Sequence, residues 1–451
     1  MTTVSITPLE NWVRRKIGLD RGRALTRSTI DRYQFQALNR TLDHARKNSP
    51  FYQEHLAAIP QMALAGLDRL AEIPFTTAED IRRDPLSLVC ASQDRIARIV
   101  TLETSGTTGS PKRLFFTAAD QELTVDFFHH GMATLVDPGQ RVLILMPGQT
   151  PGSVGDLLVR GLARLQVEGI VHGPVHDPAA AIDHALKEKV DCLVGIPVQV
   201  LAMASHRQGP ALGGRIANVL LSTDYVPDAI AARIERIWNC RVFNHYGMTE
   251  MGLGGGVECL ARNGYHLREA DLLVEIVDPA TGLPLAEGNI GEVVFTTLTR
   301  SGMPLIRYRT GDMAAFRLDS CACGTVLKTL GRIRGRRNAM LKMTRGGKRF
   351  FIGDLDEKVF AVDGVIDYRG WIDHQGHHPR LTLYIVPEEL QSLDTLKACV
   401  REAVSCLSAI RRAMADGRLT VDIQLADGPV AVSTGTAKRE IEHRRERNTF
   451  R

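Results

Sequence analysis

Short aliphatic runs alternate with amphipathic stretches between residues 99 and 242. The runs are rich in Val, Ile and Leu, as in Val142–Met146 and Val219–Leu221. The stretches between them repeat apolar residues with the period of a helix, for example over Ala179–Lys187 and Pro227–Trp238. This alternation predicts βαβ units, and therefore a parallel sheet covered by helices.

The segments on either side of this region have different patterns. Up to Pro50 the apolar positions follow a helical period, and Thr76 or Thr77 is placed to cap a further helix. From Leu272 to Phe316 short strands alternate with turns, which predicts an antiparallel unit. After a Gly/Arg-rich stretch, strands and helices alternate again, as in a small α+β domain.

These patterns define the predicted fold. We expect an α/β protein whose large, multi-layer N-terminal domain covers residues 1–334 and combines parallel sheets and helices with a small antiparallel β subdomain. A small, mobile α+β C-terminal domain is predicted over residues 335–451, with the Gly/Arg-rich stretch as its hinge. Within it, residues 395–414 are predicted to be helical.

Composition narrows the class of protein. The chain has 451 residues, 44% hydrophobic and 24% charged, as in a multidomain globular enzyme. No apolar run approaches the ~18 residues that span a bilayer, and the N-terminus lacks the apolar core of a secretion signal, so we expect a cytoplasmic protein without membrane partners.

The net charge of +5 comes largely from a basic C-terminal tail. Glutamates interrupt that tail, which favours a solvated helix end over nucleic-acid binding. The oligomeric state is open, with a homodimer as our expectation.

The segment Thr104–Lys112 carries the strongest chemical signal. Its sequence, TSGTTGSPK, mixes hydroxyl side chains with glycines, ends in a lysine and lies between two apolar runs. A turn of this composition offers backbone N–H groups, hydroxyls and one cation to a polyphosphate. It is not a P-loop, in which a Gly-Lys-Ser/Thr sequence opens a helix. A flexible surface loop would have a similar composition, so the segment is ambiguous by itself.

Two later motifs carry carboxylates. Asn244–Glu250 follows an apolar strand and supplies a tyrosine ring, a threonine hydroxyl and a carboxylate, which can stack on a base, donate to a phosphate and hold Mg²⁺. Leu305–Asp312 ends in an aspartate that suits the two hydroxyls of a ribose. Each motif alone is weak, because strand-end loops and Gly-Asp turns are common.

In this order and at these spacings, the three motifs resemble those of the adenylate-forming superfamily of acyl- and aryl-CoA ligases. Within it the chain is most similar to the phenylacetate–CoA ligase family, from Asn48–Tyr52 to the C-terminal domain. The resemblance implies that the enzyme uses ATP to adenylate a carboxylic acid and then passes the acyl group to CoA. We expect the acid to be aromatic. Two alternatives are open: a carrier protein or another nucleophile as the acceptor, or a nucleotide-binding protein with weak turnover.

The resemblance also implies roles for particular residues. The phosphate loop would handle the β- and γ-phosphates of ATP through Thr104, Ser105, Gly106, Thr107, Thr108, Gly109 and Lys112. The adenine and ribose would lie against Thr223, Asp224, Tyr246, Gly247, Asp312 and Arg336. Thr249 would contact the α-phosphate, and Glu250 would ligate Mg²⁺.

Three positions depart from the pattern of the family. Asn338 stands where relatives carry an acidic or lysine hinge residue, and Ser222–Asp224 replaces a stretch resembling Gly-Ala-Glu. Thr436 occupies the position of the catalytic lysine, and Lys438 lies two residues later. Either Lys438 takes over the role of that lysine, which we favour, or adenylation is altered or slow.

The cysteines suggest a metal site. Cys259, His266, Cys321 and Cys323 could supply three thiolates and one imidazole to a tetrahedral structural zinc ion, and the resembled family can carry a comparable set. The Cys-x-Cys spacing is tighter than the common Cys-x₂-Cys, so incidental thiols are the alternative. The other cysteines are predicted to pack as small core residues, namely Cys90, Cys192, Cys240, Cys399 and Cys406.

Two adjacent histidines lie on a predicted helix near the expected acyl pocket. His129 and His130 follow Asp126–Phe128 in the sequence. Either histidine could contact a substrate. We favour the commoner outcome for such a residue, a half-buried histidine on a helix.

Overall fold

The computed structural model describes residues 5–20, 23–59, 66–102, 111–337, 341–342, 349–374, 378–388, 393–426, 439 and 441–444. The chain divides into two compact units. The first unit combines Met1–Gln140, Pro147–Val171 and Phe243–Ile333, and the second combines Arg141–Met146, His172–Val242 and Arg334–Arg451. The proposed domain boundary at residue 334 stays a prediction. Within the described ranges, no helix has both the length and the apolar character that crossing a membrane requires.

The elements are numbered in chain order. The helices are α1 (Pro8–Lys16), α2 (Arg27–Asn48), α3 (Pro50–His55), α4 (Ala78–Arg83), α5 (Ala118–Met132), α6 (Val154–Ala163), α7 (Pro178–Lys187), α8 (Pro197–Ser205), α9 (Asp228–Trp238), α10 (Ile352–Val359), α11 (Leu393–Ser405) and α12 (Ser408–Ala415). Short 3₁₀ helices cover Leu67–Glu72, Gln93–Arg95, Gly209–Leu212 and Thr249–Met251.

The strands are β1 (Ile96–Leu102), β2 (Lys112–Thr117), β3 (Arg141–Ile144), β4 (Glu168–Val171), β5 (Cys192–Gly195), β6 (Asn218–Leu221), β7 (Arg241–Tyr246), β8 (Gly256–Glu258), β9 (Tyr265–Leu267), β10 (Leu272–Val277), β11 (Gly291–Thr297), β12 (Tyr308–Ala314), β13 (Thr329–Leu330), β14 (Gly335–Arg336), β15 (Leu341–Lys342), β16 (Arg349–Phe350), β17 (Val365–Asp373), β18 (Arg380–Pro387), β19 (Thr420–Leu425) and β20 (Ile441–Arg444).

The first unit contains the antiparallel structure. Strands β10, β11 and β12 pair antiparallel in that order, which confirms the prediction for this region. A second antiparallel set runs from β7 through β8 and β9 to β13. The strands supply much of the hydrophobic core of this unit. Apolar residues of β2, β11 and β12 are buried together there, among them Phe115, Phe295 and Tyr308.

Two helix caps in this unit determine where α4 and α5 begin. Thr77, one of the two predicted N-cap residues, caps α4 through a reciprocal capping box with Asp80. Thr117 and Asp120 form the same arrangement at the start of α5. The Asp120 carboxylate also accepts N–H bonds from Ser301 and Gly302, at 2.9 and 3.0 Å. This buried carboxylate therefore ties the start of α5 to the turn that precedes β12.

The second unit contains the parallel structure. Strands β3, β5 and β6 are parallel neighbours, with α7, α8 and α9 between and after them, which confirms the predicted βαβ pattern. The C-terminal sheet has the order β19–β18–β17–β20, with an antiparallel central pair and parallel outer pairs. Helix α11 packs against β19, and the almost entirely buried α8 packs against β17.

Two predictions for the C-terminal region are wrong. The helix predicted over residues 395–414 is two helices, because Leu407 adopts an extended conformation between α11 and α12. Cys399 and Cys406 are exposed rather than packed in the core, since the buried positions of α11 are Val400 and Val404. Cys90 and Cys192 are buried as predicted, and Cys240 is partly buried.

Candidate active site

The phosphate-loop residues Thr104, Ser105, Gly106, Thr107, Thr108 and Gly109 lie outside the described residues, but the strands that carry them are described. β1 and β2 pair antiparallel, and Leu102 lies opposite Lys112. The loop therefore joins the ends of a hairpin, as the sequence predicted. Lys112, its last cationic residue, is the first residue of β2.

Glu250 lies at the centre of a buried group of polar side chains. It belongs to the 3₁₀ helix that follows β7, and only 5% of its surface is exposed. Its carboxylate forms an ion pair with Lys112 and accepts a hydrogen bond from the Tyr308 hydroxyl at 3.2 Å. The structure thus brings together the end of the phosphate loop and the predicted Mg²⁺ ligand.

The charge on Glu250 is stabilised by these neighbours. Burial by itself would raise the pKa of this carboxyl, but the Lys112 ammonium and the Tyr308 hydroxyl more than offset that effect. The net pKa lies below its ordinary value. Glu250 is therefore an anion at neutral pH, as a ligand for a hard divalent cation must be.

Arg300 is a second cation beside Glu250. Its guanidinium donates to the backbone carbonyl of Glu250 at 2.8 Å and lies 4.9 Å from the centre of the Phe116 ring. Burial lowers the pKa of Arg300 to about 10, so the side chain stays charged at neutral pH. Sequence reasoning missed this residue, because a single arginine in a turn between strands has no distinctive pattern.

Tyr246 and Asp312, predicted to bind the adenine and the ribose, contact each other. The Tyr246 hydroxyl donates to the Asp312 carboxylate at 3.1 Å. Burial and the adjacent Asp312 raise the pKa of Tyr246 well above its ordinary value, so the hydroxyl is a donor. Gly247 is the next residue in the chain. A Cβ atom on it would lie 2.1 Å from the Leu253 carbonyl oxygen, so only glycine fits there. Thr249 begins the short helix of Glu250.

The remaining predicted nucleotide residues belong to the second unit. Thr223 has a left-handed backbone, with φ at 77°. The Asp224 carboxylate accepts the backbone N–H of Arg439 at 3.2 Å. Arg336 lies in β14. Asn338, Thr436 and Lys438 lie outside the described residues.

Arg439, the residue after Lys438, anchors a buried charged cluster that sequence reasoning also missed. Its guanidinium donates to the Asp367 carboxylate at 2.8 Å and to the Tyr368 carbonyl at 2.7 Å. It lies 3.3 Å from the Asp356 carboxylate, which also accepts from the Tyr368 hydroxyl. Burial raises the pKa of Asp356 to about 7 even though Arg439 opposes that rise. Arg439 and the Tyr368 hydroxyl therefore both stabilise the ionised form of Asp356.

Arg439→Met is expected to destabilise the protein by about 3–5 kcal/mol, because it leaves buried carboxylates without their cation. The loss should be smaller at pH 5 than at pH 8, since a buried carboxyl whose folded-state pKa is raised can be protonated at the lower pH. Urea unfolding midpoints at both pH values measure this effect. The control is Arg236→Met, which removes a solvent-exposed pair with Asp363 and should change the midpoint little. Equal shifts in the two variants would contradict the prediction.

The four predicted zinc ligands come together in the first unit. The candidate ligand atoms of Cys259, His266, Cys321 and Cys323 all lie within 4.8 Å of one another, and all four residues are buried. The Cys259 and Cys321 sulfurs are 3.5 Å apart, and the Cys323 sulfur lies 3.5 Å from Nε2 of His266. A tetrahedral zinc ion places its ligand atoms about 3.3–3.8 Å apart, and these two spacings fall in that range.

The polar neighbour of His266 supports the same geometry. Its second ring nitrogen, Nδ1, lies 3.3 Å from the Thr329 hydroxyl. A partner on the far nitrogen orients a metal-binding imidazole. The Cys-x-Cys turn is closed by the Gly324 N–H, which donates to the Cys321 carbonyl at 2.9 Å. Both features would orient the candidate ligand atoms for a metal ion.

His129 and His130 are partly buried on α5, as we favoured. With Asp126 they form a second group whose ligand atoms lie within 4.8 Å. Cations surround this group, since Lys16 pairs with Asp126 at 3.5 Å and Arg15 lies 2.5 Å from His130. The Asp126 carboxylate also accepts from the Trp12 indole at 2.7 Å. These neighbours make the group a poor cation site.

Comparisons with known proteins identify the family. A family profile described as AMP-binding enzyme matches residues 53–299, more than half of the chain. The phenylacetate-coenzyme A ligase of Thermus thermophilus is 30% identical over 357 residues, which cover 76% of this chain and 78% of that protein. The phenylacetate-coenzyme A ligase of Escherichia coli is 27% identical over 369 residues, which cover 79% and 82%.

A solved structure shares the fold. The crystal structure of 2-hydroxyisobutyryl-CoA ligase in the postadenylation state aligns with a TM-score of 0.79 at 19% identity, over 95% of this chain and 94% of that one. The chain therefore belongs to the AMP-binding enzyme family. Within that family it is a phenylacetate–CoA ligase-like protein, an AMP-forming acid–CoA ligase, which confirms the predicted family, fold and class of reaction.

Proposed function

We propose that this enzyme activates an aromatic carboxylic acid with Mg²⁺ and ATP and transfers the acyl group to CoA. The observation that carries the proposal is the buried group in which Glu250 meets Lys112 and Tyr308. Such a group can bind a cation and a phosphate chain at one point. The names of the relatives support CoA as the acceptor and an aryl acid as the substrate.

In the first half-reaction, a carboxylate oxygen of the acid attacks the α-phosphorus of ATP. A new bond forms between that oxygen and phosphorus, the bond to the bridging oxygen breaks, and pyrophosphate leaves. Lys112, which is partly buried, and Arg300, which is buried, would supply positive charge where negative charge accumulates, and shielding from water strengthens this effect. Mg²⁺ held by Glu250 would neutralise phosphate charge when bound.

In the second half-reaction, a CoA thiolate attacks the carbonyl carbon of the acyl-adenylate, and AMP leaves. The resemblance to the family motivates a rotation of the C-terminal domain between the two steps, a hinge-type closure. Tyr246 and Asp312 would hold the adenosine through both steps, with Thr249 at the α-phosphate. Lys438, in the C-terminal segment, would act only in the first step.

Pyrophosphate release and CoA consumption, measured across a panel of aryl and alkyl acids, test this proposal. We expect pyrophosphate release with aryl acids, and stoichiometric acyl-CoA when CoA is present. Pyrophosphate release without CoA consumption would favour a carrier protein or another nucleophile as the acceptor. Tight ATP binding without pyrophosphate release for any acid would favour a nucleotide-binding protein with weak turnover.

Sedimentation of the same preparation tests the expected homodimer.

We also propose that Cys259, His266, Cys321 and Cys323 hold a structural zinc ion. All four coordination positions would be filled by protein, so the ion would stabilise the fold and take no part in the reaction. The sulfur and imidazole donor set and the burial of all four residues support this assignment.

Cys323→Ser is expected to lower the thermal unfolding temperature and to reduce the metal content, because a structural zinc site contributes directly to folding. Protein purified without added metal should contain about one zinc per chain by elemental analysis. The matched control is Cys399→Ser, which changes an exposed thiol and should alter neither quantity. A fully stable, metal-free parent protein would overturn the zinc proposal.

A further inference from the structure

Arg268 is a buried cation with incomplete compensation. It follows β9, is 3% exposed, and its guanidinium carbon lies 5.4 Å from the centre of the Phe127 ring on α5. Its one ion pair among the described residues joins Nη2 to the Asp271 carboxylate, at 3.5 Å. Asp271 already binds the Lys16 ammonium at 2.9 Å and the Thr299 hydroxyl at 2.7 Å. Asp271 therefore offsets only part of the charge of Arg268.

Two donor atoms of Arg268 have no acceptor in the part of the chain that the structure describes. Nε and Nη1 are both buried and make no hydrogen bond there. Burying a charged donor without an acceptor costs free energy that folding rarely leaves uncompensated. Burial lowers the pKa of Arg268, but a guanidinium still keeps its proton at neutral pH. These donors therefore need an acceptor that the described part of the chain does not supply, and a bound ligand can provide one.

Arg307 shows how this fold satisfies a structural arginine. It is equally buried, at 1% exposed, and donates twice to the Glu275 carboxylate, at 3.1 and 3.0 Å. It also donates to the carbonyls of Ala71 and Ile73, at 3.1 and 2.7 Å. Other described arginines, such as Arg27 and Arg98, leave one buried donor atom without a hydrogen bond, whereas Arg268 leaves two.

The surroundings of Arg268 connect it to the reaction site. Phe127 packs so closely on the segment after Glu250 that a Cβ on Gly254 would lie 2.3 Å from its ring. One turn earlier on α5, the Thr124 hydroxyl donates to the Gly252 carbonyl at 2.8 Å. One face of α5 therefore contacts both the segment that follows Glu250 and Arg268. Arg268 is also close enough to Arg300 to lower its pKa.

Aromatic rings and a neutral imidazole complete these surroundings. The His245 ring lies 6.1 Å from Phe127 and 6.3 Å from Phe128, centre to centre. Burial, with the charge of Arg268, lowers the pKa of His245 to about 4, so this ring carries no charge at neutral pH. These rings offer aromatic surface to an aryl group, and the Arg268 guanidinium lies against one of them, Phe127.

We propose that Arg268 determines substrate specificity, by donating from Nε and Nη1 to an oxygen on the aryl ring, remote from the reacting carboxylate. The preferred substrate class is then an aromatic acid with a ring hydroxyl, carbonyl, nitro or second carboxylate group. This inference rests on the proposed function and extends it, because it names the class of acid. An acid without such an oxygen leaves the buried donors unmet, which weakens its binding.

The test compares pairs of acids that differ only in the ring oxygen, such as phenylacetate and hydroxyphenylacetate, or benzoate and benzenedicarboxylate. For the parent enzyme we expect kcat/KM to favour the best oxygen-bearing acid about 10- to 100-fold. In Arg268→Met this ratio should fall to near unity, mainly through a higher KM for the oxygen-bearing acid. Arg268→Lys keeps the charge but not the planar donors, so it should retain only part of the ratio. This variant also provides the test if Arg268→Met does not fold.

Lys16→Met is the matched control. It removes the other cation on Asp271 but leaves the donors of Arg268 unchanged, so the ratio should stay at the parent value. If the ratio persists in Arg268→Met, the donors serve the fold and the specificity inference is overturned. If both variants lose the ratio equally, the effect comes from Asp271, and the inference is again overturned.

A binding measurement separates this inference from the proposed function. Thermal shifts of the parent and of Arg268→Met are recorded with each acid pair, without ATP. A larger shift with the oxygen-bearing acid, lost in Arg268→Met, supports Arg268 even if no acid releases pyrophosphate. Equal shifts together with normal pyrophosphate release would leave the proposed function standing and overturn the inference.

Discussion

Glu250→Gln is expected to slow adenylation on the order of 10²–10³-fold. The substitution keeps the shape of the side chain but removes the charge that would hold Mg²⁺ and that pairs with Lys112. Because Mg²⁺ stabilises charge that develops as pyrophosphate leaves, the loss should appear mainly in kcat, with a smaller change in the KM for ATP. Acid-dependent pyrophosphate release measures both quantities.

The control for this prediction is Glu275→Gln. Glu275 matches Glu250 in being buried and in pairing with a cation, since it accepts two hydrogen bonds from Arg307. The control should lower stability but spare adenylation in the molecules that stay folded. Unchanged pyrophosphate release by Glu250→Gln would remove Glu250 from the active site. Equal loss in both variants would point to a general effect on folding.

Lys438→Ala is expected to slow adenylation by a similar factor, on the order of 10²–10³, and to leave thioester formation from a preformed acyl-adenylate largely unchanged. Lys438 is the nearest cation in the sequence to Thr436, the residue that the resemblance aligns with the catalytic lysine of the family. A cation there would stabilise charge present only while the phosphorus–oxygen bonds exchange, so ATP binding should change less than turnover. The two half-reactions are measured separately, by pyrophosphate release and by acyl-CoA formation.

Two further variants test the role of Lys438. Arg445→Ala removes a charge from the same basic tail and should affect neither half-reaction. If Lys438→Ala behaves like this control, Lys438 is only part of a solvated tail. In that case Thr436→Lys, which places a lysine at the position used by relatives, should be the change that accelerates adenylation.

Local sequence patterns were sufficient for most of the secondary structure and indicated the candidate site residues that lie within one motif. The alternation of aliphatic runs and amphipathic stretches predicted the parallel strands β3, β5 and β6, because βαβ units repeat that pattern. The cap of α4 was visible as Thr76 or Thr77, because a threonine followed by acidic residues is a local signal of a helix start. The same local rules failed at Leu407, where one extended residue divides a helix without any Gly or Pro.

The candidate site was only partly visible in the sequence. Lys112, Glu250 and Asp312 each stand in a motif whose residue types suit nucleotide chemistry, so they could be named in advance. Arg268 and Arg300 could not, because an isolated arginine has the same appearance on a surface and in a buried site. Their significance depends on burial and on unmet or shared hydrogen bonds, which are properties of packing.

The sequence by itself determined the family, the order of the elements, and the residue types available for nucleotide and zinc binding. Those properties depend on near neighbours along the chain, so they leave a readable pattern. Only the tertiary structure decided which side chains meet. It pairs Tyr246 with Asp312, 66 residues away, and Lys112 with Glu250, 138 residues away. It also surrounds Arg439 with carboxylates from α10 and β17. Such contacts have no sequence period, because chain topology sets them. Burial then strengthens the electrostatic interaction between the two partners.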